Sequence, residues 1–412
     1  MRPALEREKL RQRADYTYKF NAKTGRHGWL RLTPAYSLKI VEELVADNRQ
    51  ARRILDPFCG TGTTALSAAY HGHEGVTTDI NPFLVWLAQT KTASYSPKDL
   101  AATEAACVEA LDLVRRRAVE PVPAPPLHNI ERWWATQSLD FLCSLRAAIS
   151  VVSKDHSAER NLLLVAFCRV LMALSNAAFN HQSMSFKDDA QLMLGFELDM
   201  GGMFAEDVRF VLQGASENPT GIATVVLGDS RNSAHAVQGK FDLVITSPPY
   251  ANRMSYIREL RPYMYWLGYL EDGRNAGELD WTVIGGTWGI ATSRLMDWRR
   301  NTEHFKSDRL NAALEQIAHA DNKNGRLLAN YVAKYFDDMW AHFQGLTPVL
   351  APNAKLHYIV GNSTFYGVVV ATELLYAEML AGLGFKNVEC KAIRKRNSKK
   401  ELVEFNVVAR WN

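Results

Sequence analysis

The sequence predicts an α/β fold in which a largely parallel sheet ends in an antiparallel hairpin and is interrupted by a mainly helical insert. Short apolar runs alternate with helical segments up to residue 95 and again after residue 222. Between them, residues 96–221 are typical of helices, broken by a proline-rich linker. Near the end, the strand-like runs 387–395 and 404–411 are joined by a short charged connection, which favours a hairpin.

The composition is that of a soluble globular protein, with 47% hydrophobic and 22% charged residues among 412. A formal net charge of +4 at pH 7 is compatible with a polyanionic partner but does not require one. The five cysteines form no CxxC pair, so we expect no zinc site, no disulfide framework and no other metal. The charged first residues lack the apolar core of a secretion signal, and Arg169 interrupts the most apolar stretch, so no membrane span is expected.

The elements follow in order from the N-terminus. Residues 1–30 are basic and aromatic, which fits either a solvated arm or a strap against phosphates. A helix is predicted over residues 38–45, and the short strand after it ends at Asp56. The segment DPFCGTGTT then leads into a helix of small residues, and the next strand ends at Asp79. Strand, glycine loop, helix and acid-tipped strand form a βαβ unit.

The glycine loop and its acids predict a ligand site. Gly60 and Gly62 allow the backbone to turn tightly and approach a ligand, and the helix behind them directs free N–H groups to the same place. The loop has neither the GKT or GKS of a P-loop nor the third glycine of the dinucleotide fingerprint. Asp79 can accept both hydroxyls of a ribose, and Asp229 can accept from an exocyclic amine, although a single strand-end acid is often only a helix cap. Three acids around one glycine loop, with Asp56 as the third, predict a ribose-bearing, cationic cofactor.

A second motif ends the apolar run FDLVITSPPY at residues 241–250. The prolines supply no ladder donor, so the strand must stop there. The Ser247 hydroxyl and a main-chain carbonyl of the rigid Pro248-Pro249 turn can accept from both N–H groups of an amine and so localise its lone pair. Tyr250 offers a flat face for an extruded base. In isolation, the same tetrapeptide would be interpreted as a structural strand cap.

These motifs, in this order, resemble those of the amino-methyltransferases of DNA, which use S-adenosylmethionine to methylate exocyclic amines of cytosine or adenine. DPFCGTGTT is similar to their cofactor loop, TTDINPF to the acidic strand end after it, LGDS to the adenine-contacting strand end and TSPPY to the catalytic tetrapeptide. LTPAYSLKIVEELV, residues 32–45, resembles the segment that covers the methionine end of the cofactor.

The resemblance implies a Rossmann-like methyltransferase sheet, S-adenosylmethionine as cofactor and double-stranded DNA as substrate. It implies catalytic roles for Ser247, Pro248, Pro249 and Tyr250. The cofactor-binding residues that it implies are Thr33, Asp56, Phe58, Cys59, Gly60, Gly62, Thr63, Asp79, Ile80, Asp229 and Ser230. Arg253, Arg258 and Arg261 are candidates for DNA binding, while the aromatic residues around them also fit a core helix.

The resemblance also divides the chain. Residues 31–95, 222–270 and 327–412 form the expected methyltransferase core, preceded by the arm at 1–30. The helical insert at 96–221 is a candidate target-recognition domain. Residues 271–326, predicted to be an irregular stretch rich in glycine and tryptophan, form a second insert that is a candidate DNA-contacting region. Either insert could read the bases.

The first letter of SPPY bears on the target, because this tetrapeptide resembles cytosine-N4 enzymes more often than adenine-N6 enzymes. We therefore predict sequence-specific methylation of N4 of a flipped cytosine in duplex DNA, in the cytoplasm at the nucleoid, within a restriction-modification system whose endonuclease acts separately. Adenine-N6 methylation is the alternative. A tRNA guanine-N2 methyltransferase is a further one, disfavoured because only about 30 residues precede the cofactor segments. A DNA-binding subunit without activity is disfavoured by the intact loop and tetrapeptide.

Overall fold

The computed structural model describes residues 10–32, 36–178, 185–186, 198–252, 255–287, 289–301, 305–320, 323–396 and 401–412. Within them a seven-stranded sheet consists of β1 (Arg53–Asp56), β2 (Glu74–Asp79), β3 (Ile222–Leu227), β4 (Phe241–Thr246), β5 (Leu350–Gly361), β6 (Lys386–Lys395) and β7 (Val403–Arg410). Their order is β3-β2-β1-β4-β5-β7-β6. Neighbours from β3 to β5 are parallel, and β7 is antiparallel to both β5 and β6. The predicted α/β sheet with a closing antiparallel hairpin is confirmed.

Strand β1 is the centre of the sheet. Leu55 pairs with Val76 of β2 on one side and with Val244 of β4 on the other. Leu55, Ile54 and Ile245 are fully buried, and the burial of these apolar side chains stabilises β1 and β4. The chain adds β2 and β3 on one side of β1 and then returns to add β4 and β5 on the other. The carboxyl ends of β1 and β4 therefore form the switch point at which open α/β sheets bind ligands.

Thirteen helices of eight or more residues are described. They are α1 (Leu38–Ala46), α2 (Thr63–Tyr70), α3 (Pro82–Thr92), α4 (Pro97–Arg115), α5 (Thr136–Val152), α6 (Ala158–Ala173), α7 (Met200–Ala215), α8 (Tyr256–Trp266), α9 (Gly273–Thr282), α10 (Ile290–Asp297), α11 (Asp308–Ala318), α12 (Gly325–Leu346) and α13 (Thr372–Gly382). Their starts follow local chemistry: Asn81 caps α3 ahead of Pro82, and Ser96 forms a capping box with Asp99 at α4. None of the described helices has the length and hydropathy needed to cross a bilayer.

The first insert contains α4 to α7, which pack against the helix that follows the tetrapeptide. The ring of Trp266 in α8 lies 5.6 Å from that of Trp134 and 5.6 Å from that of Phe167 in α6. All three rings are buried in one apolar cluster. The insert is thereby joined directly to the core, and its role in target recognition stays a prediction.

The second insert differs from the irregular stretch that the sequence predicts for residues 271–326. It contains the three helices α9, α10 and α11. Gly273 begins α9 and Gly289 caps α10. Because these glycines lie at helix ends, they do not destabilise the helix interiors. In α11, Leu310 and Ile317 are buried at helical spacing. The prediction was wrong because it weighted glycine and tryptophan content above this periodicity.

The end of the N-terminal arm is also not what the sequence predicts. Both interpretations of residues 1–30 placed the basic side chains outside, yet Arg26 and Trp29 are fully buried. The Arg26 guanidinium donates to the carbonyls of Gly214 at 3.0 Å and Lys91 at 3.0 Å, and so ties the arm to α7 and α3. Because a guanidinium has five N–H donors, several backbone carbonyls can together satisfy it inside the protein.

Candidate active site

A cavity of about 360 Å³ opens at the carboxyl ends of β1 to β4, within the range of small-ligand sites. The predicted residues that line it are Phe58, Cys59, Gly60, Asp79, Ile80, Asp229, Ser230, Ser247, Pro248, Pro249 and Tyr250. Asp56, Gly62, Thr63, Arg258 and Arg261 do not line it. Thr33 and Arg253 lie outside the described residues. The sheet edge therefore brings most of the predicted loop, acids and tetrapeptide to one opening.

The glycine loop is held open by its surroundings. Gly60 and Gly62 adopt φ angles of +52° and +74°, which side-chain-bearing residues rarely adopt. A Cβ on Gly62 would also lie 2.9 Å from the Cβ of Ala88 in α3. The Lys91 Nζ donates to the Thr61 carbonyl at 2.6 Å, and burial lowers the pKa of Lys91 to about 7. The loop conformation is thus fixed before any ligand binds.

Asp56 supports this loop from behind. Its Oδ1 accepts from the Thr246 hydroxyl at 2.5 Å and from the Phe58 N–H at 3.1 Å, which links β1 to β4. Its Oδ2 is buried and has no hydrogen-bond partner within the described residues. Burial raises the pKa of Asp56 to about 7. Any contribution of Asp56 to cofactor binding would therefore be indirect.

The two strand-end acids differ in what they already bind. Asp79 accepts the N–H of Gly60 at 3.0 Å and that of Asn81 at 2.9 Å, and burial raises its pKa to about 6. Asp229 instead holds the Arg231 guanidinium, with Oδ2 2.7 Å from Nη2 and Oδ1 3.0 Å from Nε. Arg231 also donates to Asp338 at 2.8 Å. An amine bound at Asp229 would therefore share the carboxylate with Arg231.

The tetrapeptide is braced by tyrosine hydroxyls. The Tyr335 hydroxyl donates to the Pro249 carbonyl at 2.7 Å and lies 2.6 Å from the Tyr376 hydroxyl. Among the described residues, no donor reaches the carbonyl of Pro248, which also lines the cavity. The half-buried Ser247 lines the cavity beside it. The Ser247 hydroxyl and the Pro248 carbonyl are therefore two tetrapeptide acceptors that remain available to an amine.

Tyr250 is oriented by the closing hairpin. Its hydroxyl donates to Glu404 at 2.9 Å, and Arg394 binds the same carboxylate at 2.7 Å. Burial, with Glu404 nearby, raises the pKa of Tyr250 well above its usual value, so the phenol stays protonated and remains a donor. The Arg396 guanidinium carbon lies 4.9 Å from the centre of the Tyr250 ring.

Two predicted DNA-binding residues lie elsewhere. Arg258 and Arg261 are half-buried on α8, and the Arg261 guanidinium carbon lies 5.2 Å from the ring centre of Trp133 in the first insert. Burial lowers the pKa of Arg261 to about 10. Their role in DNA binding stays a prediction.

Several residues that line the cavity are not among the individual site residues that the sequence predicts, although Tyr36 and Ser37 lie in the segment 32–45 that resembles the cofactor-covering one. They are Tyr16, Thr17 and Tyr18 from the arm, Tyr36 and Ser37 before α1, Thr282 to Ile284 from the second insert, and Arg394, Arg396 and Glu404 from the hairpin. The aromatic arm and the basic hairpin were signals that could have found some of them. Glu404 carried none, because it lies 154 positions from Tyr250.

Three comparisons bear on this site. A family model described as D12 class N6 adenine-specific DNA methyltransferase matches residues 38–113, from α1 through the glycine loop into α4. The chain is 21% identical to the type II methyltransferase M.BsoBI of Geobacillus stearothermophilus, covering 95% of this chain and 85% of that protein. It is 20% identical to the type II methyltransferase M.MvaI of Kocuria varians, covering 84% and 78% respectively. No solved structure matches the chain.

These matches agree with the strand order and with the cavity at the switch point. They are matches to DNA methyltransferases, enzymes whose methyl donor is S-adenosylmethionine.

Proposed function

We propose that this DNA methyltransferase transfers a methyl group from S-adenosylmethionine to the exocyclic N4 amine of a cytosine flipped out of duplex DNA. One observation carries the proposal: Ser247 and Pro248 line the same cavity as Asp79 and the glycine loop. The amine acceptors of the tetrapeptide and the candidate ribose acceptor thus open onto one space. Ser247, in the SPPY tetrapeptide, favours cytosine as the target.

The residues present fit the cofactor. Gly60 leaves the loop backbone bare, while Phe58 and Ile80 supply apolar walls. The Asp79 carboxylate, which accepts two backbone N–H groups, has lone pairs left for ribose hydroxyls. When bound, S-adenosylmethionine supplies an electrophilic methyl group on a sulfonium centre. Of the described carboxylates that line the cavity, Asp229 and Glu404 are already bound to arginines, which leaves Asp79 to complement that positive charge.

The chain's own residues would raise the nucleophilicity of the amine. Its lone pair is delocalised into the base, so acceptors that draw on both N–H groups favour the localised form. The Ser247 hydroxyl is one acceptor, and the Pro248 carbonyl is the other. The Pro249 carbonyl already binds Tyr335, which keeps the turn rigid. Tyr250, held through its hydroxyl by Glu404, presents a ring for stacking and thereby orients the base.

Adenine-N6 is the second candidate, and the description of the matching family model favours it. The names of the two relatives favour a type II restriction-modification system, and a cognate endonuclease that acts separately is part of the proposal. They also favour DNA over tRNA. The second insert also reaches the cavity, because Thr282, Val283 and Ile284 line it and the Thr282 carbonyl accepts from Arg231 at 2.6 Å.

The test is nucleoside mass spectrometry on DNA from a methylation-free host that expresses the chain. We expect N4-methylcytosine with the wild-type chain and much less with Ser247→Ala expressed at the same level. N6-methyladenine in its place would establish the second candidate. DNA without either modified base would contradict the proposal. Sequencing the modified DNA would define the recognition sequence.

A further inference from the structure

Among the described residues, three cations line the cavity, and they differ in their partners. Arg231 is bound by Asp229 at 2.7 Å and by Asp338 at 2.8 Å, and Arg394 is bound by Glu404 at 2.7 Å. Arg396 has no carboxylate partner within the described part of the chain. Its Nη1 donates to the Asn362 carbonyl at 2.8 Å. Because a guanidinium has five N–H donors, most of its donors remain available for an anion.

Arg396 is seated by the end of β5. A Cβ on Gly361 would lie 2.6 Å from Nη1 and 2.9 Å from the guanidinium carbon, so the side chain rests against bare backbone. On another side the guanidinium carbon lies 4.9 Å from the centre of the Tyr250 ring. The Arg396 N–H donates to the Leu402 carbonyl at 2.9 Å and closes the hairpin. The cation is therefore preorganised beside the tetrapeptide.

The strand order divides the cavity into two parts. The cofactor half consists of residues 57–61, 79–81 and 228–231, which follow β1, β2 and β3. The substrate half consists of the tetrapeptide Ser247–Tyr250 with Asn252, Tyr256 and Ile257 after β4, and of Arg394, Arg396 and Glu404 on the hairpin. Strand β6 is parallel to β5, so its last residues arrive at the same sheet edge as the tetrapeptide. An anion bound at Arg396 would therefore belong to the substrate and not to the cofactor.

We propose that Arg396 binds the backbone phosphate of the flipped nucleotide while its base lies against Tyr250, an inference that rests on the proposed function. The planar guanidinium fork matches the oxygens of a phosphate. Glu404 does not repel that phosphate strongly, because Arg394 and the Tyr250 hydroxyl neutralise and satisfy its carboxylate. Arg396 thus provides a cation for the phosphate of the flipped nucleotide. This contact does not depend on whether the base is cytosine or adenine.

Two variants disturb this contact in different ways. Arg396→Gln removes the charge, whereas Gly361→Ala keeps it but pushes the flexible guanidinium off its seat. Lys386→Gln is the matched control, since it removes an exposed charge from the opposite end of the same strand. Duplexes carrying the recognition sequence serve as ligand, and DNA affinity is measured against salt concentration. Cofactor calorimetry checks that each variant is folded.

For Arg396→Gln we expect DNA affinity to fall about tenfold, as for loss of one charge-assisted contact. The slope of log affinity against log salt should shrink by about 0.9, the value for one phosphate. Gly361→Ala should weaken binding in the same direction, and Lys386→Gln should leave it within about twofold. If the wild-type protein is active but Arg396→Gln shows the same DNA affinity and the same salt slope, this inference is overturned. The proposed function would still stand.

A duplex with an abasic target nucleotide separates phosphate from base. If Arg396 binds the phosphate, Arg396→Gln weakens binding to the abasic duplex by the same factor as to the intact one. A loss of affinity seen only with the intact base would overturn the assignment, because the guanidinium would then be contacting the base. A wild-type protein that methylates no DNA would instead overturn the proposed function, and this inference with it.

Discussion

The two halves of the cavity meet at one tetrapeptide but are assembled differently. In the cofactor half, Gly60 binds Asp79 across 19 positions and Arg231 binds Asp229 across two. In the substrate half, Tyr250 binds Glu404 across 154 positions and Pro249 accepts from Tyr335 across 86. The glycine loop and Asp79 of the cofactor half form a local motif, which residues 228–231 join from beyond the first insert, whereas the substrate half exists only after the last strands have joined the sheet. Changes in the two halves should therefore have separable effects.

The largest expected effect is that of Ser247→Ala in the substrate half. Loss of a preorganised acceptor in a catalytic site costs about 10²- to 10³-fold in kcat. Cofactor affinity should stay within about twofold, since Ser247 lies outside the cofactor half. Methyl-transfer kinetics and calorimetry on the same preparation check both statements. Full activity of the variant would remove the tetrapeptide from the mechanism.

A change in the cofactor half should have the opposite signature. Asp79→Ala removes the carboxylate that holds the loop and is the candidate ribose acceptor, so we expect cofactor affinity to fall about 10- to 100-fold. DNA affinity should change little. Calorimetry with the cofactor and a binding titration with DNA measure the two quantities. Undiminished cofactor affinity would show that the ribose lies elsewhere.

Cofactor affinity should also depend on pH through Asp79. Its pKa is raised to about 6, so the carboxylate acceptor is present above pH 6 and is lost as the pH falls through that value. We expect affinity to fall about tenfold between pH 7 and pH 5. Asp79→Asn should abolish this dependence, while Asp56→Asn should retain it. A flat wild-type profile would contradict the role of Asp79.

A smaller effect should follow from the brace behind the tetrapeptide. Tyr335→Phe leaves the Pro249 carbonyl without its donor, and one such bond contributes about 1 kcal/mol, or fivefold in kcat/KM. Tyr376→Phe is the matched control, because it removes the same hydroxyl pair but leaves the bond from Tyr335 to Pro249. Equal losses in both variants would assign the effect to general packing.

The contrast between local and long-range contacts also explains which parts of the fold and of the site could be predicted from the sequence. The glycine loop, the strand-end acids and the hairpin were predictable because each depends on neighbours in the chain and on strand periodicity. The buried Arg26 and the helices of the second insert were not predicted, since carbonyl partners and helix-end glycines leave weak signals. Glu404 and Tyr335 could not be predicted at all, because only tertiary pairing brings them to the tetrapeptide. Thr33 and Arg253 stay predictions.

The account is tested most directly by the single-turnover rate of methyl transfer at saturating cofactor, measured on Asp79→Ala and Ser247→Ala. It predicts that Asp79→Ala recovers to within a few-fold of the wild-type rate, because excess cofactor compensates for weak binding. Ser247→Ala should remain about 100-fold slower or more, because the missing acceptor acts only during transfer. Recovery of Ser247→Ala, or failure of Asp79→Ala to recover, would contradict the division of the site into two halves.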